Sequence, residues 1–436
     1  MSGRTLAERL VERGLDPAEL HAKASLFDAV LEAPLARRFS DATAVWWVPG
    51  RLEVFGKHTD YAGGRTLVCA VPRGMVVAAS PRDDGWLHVF DARRQERVSL
   101  RADEGASTPP RTGWRHYVEV VAHRLAGNFP GSAIGADVVF GSDLPRASGM
   151  SSSSALIVGL SVALGRTAGL ESRDEWRTNV RDRLDAAAYY ACIENGRTFG
   201  TLTGDAGVGT HGGSEDHAAI LAGRAGRLTA FKFVPMREIG GIPVPDAWRF
   251  VVAPCGVTSQ KTGPAMGPYN RLAEGVQVIL DLGNAAGSPA PSLGAALLGR
   301  PDAANSLREL IRRSTVEGWP AGALEKRLDH FIREDARVPA ALDAFRDADA
   351  ARLGELSSQS QADAEVLLGN QIPETIALAQ RARDRGAFAA CSFGAGFGGS
   401  VWALVERAAA PQFAAAWHPD AFTADPAPPL AELQSS

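Results

Sequence analysis

Serines and glycines crowd residues 142–156, SDLPRASGMSSSSAL. A short apolar run over 136–140 precedes them and reads as a strand; an apolar helix follows over 151–164. Small residues leading into a helix start make a site for phosphate. Free backbone N–H groups and the positive end of the helix dipole face the anion there. Gly149 lets the backbone approach closely, because no Cβ stands in the way. The hydroxyls of Ser151, Ser152, Ser153 and Ser154 can add hydrogen bonds or ligate Mg2+. The alternative is an exposed linker with a serine cap. Against it, flexible linkers do not run directly into an apolar helix. Neither the P-loop pattern G-x-x-x-x-G-K-[ST] nor the nucleophile elbow G-x-S-x-G is present.

Three other segments carry reactive groups. Residues 49–64, PGRLEVFGKHTDYAGG, set Lys57, His58, Thr59, Asp60 and Tyr61 on one turn after a strand over 52–55. Such a turn can converge on a polyhydroxylated ligand: aspartate accepts from hydroxyls, while histidine and lysine can donate. An ordinary charged turn fits the same residues. Residues 207–218, GVGTHGGSEDHA, place Glu215 and Asp216 after several glycines, in a loop expected between the two halves of the chain. A carboxylate held there acts as a general base or is merely solvated. His211 and His217 do not make the zinc motif H-E-x-x-H. Residues 391–400, CSFGAGFGGS, have glycines at 394, 396, 398 and 399. The strand expected over 401–405 argues against a dinucleotide-binding loop, which needs a helix there.

The elements that must hold these groups follow from periodicity. Strands are expected over 44–48, 52–55, 75–79 and 136–140, and helices over 114–125, 151–164 and 185–195. The second half opens with strands over 228–233 and 248–253, is mostly helical from 275 to 385, and returns to strand, glycine turn and strand over 386–405. The expected fold class is therefore α+β. Two domains are expected, 1–225 and 226–436, with residues 419–436 as a loose tail. Residues 1–31 carry charges every few positions and read as a surface amphipathic helix rather than a signal peptide.

Composition excludes several function classes. Of 436 residues, 45% are hydrophobic and 22% charged, the balance of a soluble globular protein. The net charge of −4 comes without a basic stripe, so nucleic acid is not an expected partner. Cys69, Cys192, Cys255 and Cys391 are far apart, which argues against a zinc site and a disulfide framework. No stretch approaches the roughly 20 apolar residues of a membrane span. A cytoplasmic location is expected, with no obligate protein partner evident.

In this order, the segments resemble galactokinase and its wider superfamily of galactokinase, homoserine kinase, mevalonate kinase and phosphomevalonate kinase, the GHMP kinases. PGRLEVFGKHTDYAGG resembles the galactokinase signature, PRASGMSSSSAL the superfamily's phosphate-binding loop, and CSFGAGFGGS its third motif. Tyr269, Asn270 and Arg271 resemble the family's Tyr-Asn-x-Arg stretch. The resemblance implies a two-domain GHMP-kinase-like fold with the active site in the interdomain cleft. It implies ATP and Mg2+ as cofactors and a monosaccharide as substrate. ATP would lie against Ser151, Ser152, Ser153 and Ser154, with Gly149, Gly396 and Gly398 supporting the phosphates. Ser153 and Glu194 resemble the Mg2+ ligands. Asp216 resembles the catalytic aspartate and Arg51 the arginine that pairs with it. Lys57, His58, Asp60, Tyr61 and Tyr269 occupy sugar-binding positions.

The sequence departs from the family at Lys57, where galactokinases carry glutamate. A cation there favours an acidic substituent, such as a uronic acid carboxylate, or contacts a phosphate. Lys57 can equally pair with a nearby acid and leave galactose bound. His211, Gly212 and His217 also depart, around the aspartate. The leading expectation is a sugar 1-kinase for galactose or a close relative; the second is a galacturonate-type kinase. A non-catalytic sugar sensor on the same fold is the third, against which stand the retained aspartate and serine loop.

Overall fold

The computed structural model describes residues 2–104, 112–145, 149–257 and 265–434. Arg146, Ala147 and Ser148 of the serine segment lie outside the described residues. Two-residue alternation builds the first sheet. In β1 (Ala44–Phe55), Trp46 and Val48 face one core while Val45 and Trp47 face another. β2 (Arg65–Pro81) repeats the pattern with Val77 and Ala79 against Val76 and Ala78. Successive side chains of a strand point to opposite faces, so both faces of this sheet are apolar and both must be covered.

The remaining strands are β3 (Trp86–Asp91), β4 (Glu96–Arg101), β5 (Ala136–Ser142), β6 (Arg227–Lys232), β7 (Arg237–Pro243), β8 (Trp248–Pro254), β9 (Ala389–Phe393), β10 (Ser400–Glu406), β11 (Phe422–Thr423) and β12 (Ala431–Gln434). The first sheet runs β12-β1-β2-β5-β3-β4, with β6 and β7 continuing from the other end of β2. The second runs β11-β8-β10-β9. β6 and β7 lie beyond residue 225 yet belong to the first sheet, so the chain changes sheets after Pro243.

Helices Trp114–Asn128, Ser152–Thr167 and Arg183–Asn195 cover one face of the first sheet. The other face is covered by two N-terminal helices, Gly3–Glu12 and Leu20–Leu31, broken at Asp16-Pro17. The single surface helix expected there is thus a buried clamp: Leu6, Leu10, Phe27 and Val30 are fully buried. The tail is not loose either. Ala427 N–H donates to Ala70, Leu430 N–H to Ile220, and β12 pairs with β1. Its few apolar residues gave no periodic signal, but backbone hydrogen bonds hold it. The fold is mixed α and β as expected, and no helix among the described residues is long and apolar enough to cross a membrane.

Candidate active site

A bulge aims the first two groups. Between Pro49 and Arg51, and again between Glu53 and Phe55, the β1–β2 register shifts. Arg51 and Glu53 are two residues apart, so they share a face. Both line one cleft. His58, Asp60, Tyr61, Ser154, Glu194, Glu215, Asp216 and Tyr269 line the same cleft. Residues 165 apart in sequence thus meet: Arg51 Nε donates to Asp216 Oδ1 at 2.7 Å.

Asp216 is on the first turn of a helix, Glu215–Ala222, rather than in a loop. Gly213 allows that turn to reach the sugar-type turn: a Cβ there would stand 1.9 Å from Asp60 Oδ2. Asp60 Oδ2 instead accepts the Glu215 N–H at 3.0 Å, tying the two segments together. The serine helix enters from the opposite side. Ser151 is its N-cap, in the left-handed region at φ 59°, and the helix runs Ser152–Thr167. One turn in, Ser154 Oγ donates to Glu194 Oε2 at 2.7 Å and lies 3.2 Å from Asp216 Oδ2. His217 Nε2 lies 3.2 Å from Glu194 Oε2.

Ser154, not Ser153, is therefore the serine beside Glu194; Ser153 and Ser152 are half-buried on the outer side of the turn. The helical rotation of about 100° per residue separates them. Gly149 contributes its carbonyl, which accepts from Arg51 Nη1. Gly396 and Gly398 do not line the cleft. They pack against Asn370 and Val257, where a Cβ would come within 2.3 Å and 2.7 Å of those residues. From that loop Gly394 and Ala395 form the wall.

His58 has φ 55°, an unusual backbone conformation for a residue other than glycine. Its Nδ1 lies 2.9 Å from Tyr61 Oη and its Nε2 3.2 Å from the Ala395 carbonyl. Arg327 Nη2 donates to the Tyr61 hydroxyl at 2.9 Å, and Tyr269 packs against His58 with ring centroids 5.7 Å apart.

Lys57 is elsewhere. Its side chain is buried and turned from the cleft, and Nζ donates to Ser360 Oγ and Cys391 Sγ, both at 2.8 Å. Gly56 and Lys57 N–H groups donate to Glu334 Oε1 at 3.0 and 3.3 Å. A sugar-facing ammonium was one expectation and pairing within the protein the other; the ammonium is paired within the protein, and Lys57 is not among the residues that line the cleft. The reason is geometric: Glu334 anchors the backbone of the turn from below, and the side chain follows.

Two acids that sequence reading left unassigned stand on the wall. Gly394 N–H donates to Glu53 Oε2 at 2.8 Å. Burial pushes Glu53 up to about 7, against the pull of Arg51 and Lys57. Burial, and then repulsion from Glu53 and Asp60, pushes Glu215 well above the usual carboxylate range. Burial alone would weaken the charge on Arg51, but Asp216, Glu215 and Glu53 outweigh it and hold the guanidinium ionised. The cleft thus joins an ionised arginine, a hydrogen-bonded carboxylate pair across Ser154, and polar groups suited to hydroxyls.

Known proteins resemble this chain in sequence and in fold. Residues 36–81 match the galactokinase galactose-binding signature, 116–193 the N-terminal domain of GHMP kinases, and 341–424 their C-terminal domain. A galactokinase of Chloroflexus aggregans is 29% identical over 380 residues, spanning 86% of this chain and 87% of the relative. One of Actinobacillus pleuropneumoniae is 28% identical, spanning 84% and 86%. The crystal structure of Lactococcus lactis galactokinase complexed with galactose superposes with a TM-score of 0.73 at 21% identity, over 90% of this chain and 95% of that one. Methanococcus jannaschii mevalonate kinase gives 0.54 at 14% identity, over 89% and 99%.

Proposed function

Because this chain belongs to the galactokinase family of GHMP kinases, we propose that it transfers the γ-phosphoryl group of ATP to the anomeric C1 hydroxyl of galactose or a close relative. The observation that carries this is the contact of Ser154, at the start of an apolar helix, with both Glu194 and the Arg51-bound Asp216.

Phosphoryl transfer asks chiefly for alignment and charge neutralisation. The open N–H groups at the start of helix Ser152–Thr167 face the phosphates. Glu194 and Ser154 offer oxygen donors, the set that Mg2+ takes alongside phosphate oxygens and water. Bound Mg2+ would neutralise charge on the phosphates. Among the described residues no group of three His, Cys, Asp or Glu is spaced to hold a metal unaided.

Asp216 orients the acceptor hydroxyl and takes its proton as the new O–P bond forms. The bond from the γ-phosphorus to the bridging oxygen breaks, and that oxygen leaves with ADP. Arg51 keeps Asp216 aimed and supplies the counter-charge. His58, Asp60 and Tyr269 hold the sugar ring, with Tyr61 fixing His58.

A uronate kinase would need Lys57 to face the sugar, and the bonds of its ammonium to Ser360 and Cys391 remove that support. A panel of neutral monosaccharides and uronic acids tests the reading, with ADP release measured and the phosphorylated position read by NMR. Galactose should be turned over and carry its phosphate at C1. Turnover confined to uronic acids, or phosphate on C6, would refute it.

A further inference from the structure

The cleft holds more acid than the proposed reaction uses. Asp216 takes the acceptor proton and Glu194 the metal, but Glu53 and Glu215 have no task. Both line the cleft and are buried, with 1% and 7% of their surface exposed. Each keeps one oxygen bare: Glu53 Oε1 and Glu215 Oε2 have no hydrogen-bond partner among the described residues. Their other oxygens face Gly394 N–H at 2.8 Å and Arg51 Nη2 at 3.5 Å.

Charge on the wall is unbalanced. Five carboxyls, those of Glu53, Asp60, Glu194, Glu215 and Asp216, line the cleft with one guanidinium, that of Arg51, which pairs with Glu215 and Asp216; the Lys57 ammonium pulls on Glu53 but bonds Ser360 and Cys391 away from the cleft. Of the two wall imidazoles, His58 is engaged with Tyr61 and Ala395, while His217 Nε2 lies 3.2 Å from Glu194 Oε2 without a hydrogen bond among the described residues. Bare buried carboxyl oxygens are unfavourable until a donor reaches them. Neutral hexose hydroxyls can donate, but they bring no charge. A protonated amine brings a positive charge and three donors.

We propose that the sugar subsite is built for a hexose bearing a protonated amino group, with Glu53 Oε1 and Glu215 Oε2 as its acceptors. The proposal rests on the sugar-kinase reading and names its substrate class. Glu215 Oε1 and Asp216 Oδ1 share the Arg51 guanidinium, so the two carboxyls are neighbours on it. That neighbourhood places the amine on the carbon next to the one phosphorylated. The bland alternative is that both acids accept from sugar hydroxyls, in which case an amine confers no advantage. Titration supplies a second signature. Burial raises the Glu53 carboxyl to about 7, so it holds a proton further toward neutral pH than an ordinary carboxylate, and an arriving cation displaces that proton.

The test compares D-galactosamine, D-galactose and N-acetyl-D-galactosamine at pH 7 with MgATP. kcat/KM is measured for each sugar, and binding calorimetry is run in two buffers of different protonation enthalpy. Galactosamine should exceed galactose at least tenfold in kcat/KM, and the uncharged N-acetyl sugar should fall below galactose. Galactosamine binding alone should release protons. Glu215→Gln and Glu53→Gln should each lower the galactosamine-to-galactose ratio tenfold or more, whatever they do to the galactose rate, with circular dichroism reporting the fold. Galactose used as well as galactosamine, with no proton released by either, overturns this inference and leaves the kinase standing. No ADP from any of the three sugars overturns both.

Discussion

Two buried charge clusters lie on either side of the turn after β1, and they are built on opposite terms. Below it, Glu334 accepts from Gly56 and Lys57 N–H, from the Ser360 hydroxyl and from Arg337 Nη1 at 2.7 Å, so both its oxygens are occupied. Burial pushes its carboxyl up, but Lys57 and then Arg337 outweigh that and hold it below the usual range. Above the turn, Glu53 is just as buried, and there Arg51 and Lys57 do not offset the burial. The lower cluster holds the turn in place. The upper one has bare oxygens and displaced carboxyls, the signature of a site that waits for a ligand. Burial alone does not distinguish support from function; whether each carboxyl oxygen has its partner does.

Four results would break or sharpen that contrast. The largest is expected from Glu334→Ala, which removes the anion shared by Lys57 and Arg337 and leaves Asp363 as the carboxylate bound to Arg337. Breaking a buried pair costs about 3–5 kcal/mol, readable as a lower urea midpoint; a loss within experimental error would show that the lower cluster supports nothing. Glu194→Gln tests the metal role proposed for Glu194 while sparing the shape. A roughly 100-fold drop in kcat, equivalent to about 2.7 kcal/mol, should accompany a higher Mg2+ requirement. Unchanged Mg2+ dependence would remove Glu194 from that role.

The third result concerns sign. Glu53 titrates near 7 in the folded protein and near 4.5 ordinarily, so its contribution is fully present below 4.5 and lost as pH rises through 7. Glu53→Gln should therefore gain stability over the parent between pH 5 and pH 8, reaching about 1–3 kcal/mol. Glu334 is shifted the other way, so its contribution is present above the ordinary carboxylate range and lost in acid. Parallel pH profiles for the two carboxyls would contradict the contrast. The smallest effect is expected from Lys57→Met, whose ratio of galactose to galacturonate turnover should stay within about twofold of the parent, since a 1.4 kcal/mol change would already be tenfold. A clear shift would place Lys57 at the sugar after all.

What the sequence disclosed follows local pattern. Alternation in residues 44–48 and 75–79 marked β1 and part of β2, although bulges fuse 44–48 and 52–55 into one strand. A small-residue loop before an apolar run marked the helix that begins at Ser152. The segment offered Glu215 and Asp216 as candidate bases, but the choice of Asp216 and its pairing with Arg51 came only from the resemblance, because nothing local links residues 165 apart. The direction of Lys57 was hidden for the same reason. Its partners Ser360 and Cys391 lie 303 and 334 residues away, and a lysine inside a polar motif looks like part of the motif. Glu53 reads as the solvent side of an alternating strand; the glycine loop at Gly394 buries it instead. A charged residue within an otherwise apolar strand was the available signal. Ser154 could not be told from Ser153 without the helix rotation that turns one inward.

The central claim is that Asp216, fixed by Arg51 opposite Ser154 and Glu194, drives phosphoryl transfer to a sugar. Its most direct test is Asp216→Asn, assayed by phosphorus NMR with galactose and MgATP beside nucleotide-binding calorimetry. The account predicts galactose 1-phosphate from the parent enzyme, a kcat roughly 10³-fold lower in the variant, within the range of a lost general base, and nearly unchanged ATP affinity. A variant that still makes sugar phosphate at the parental rate would contradict it.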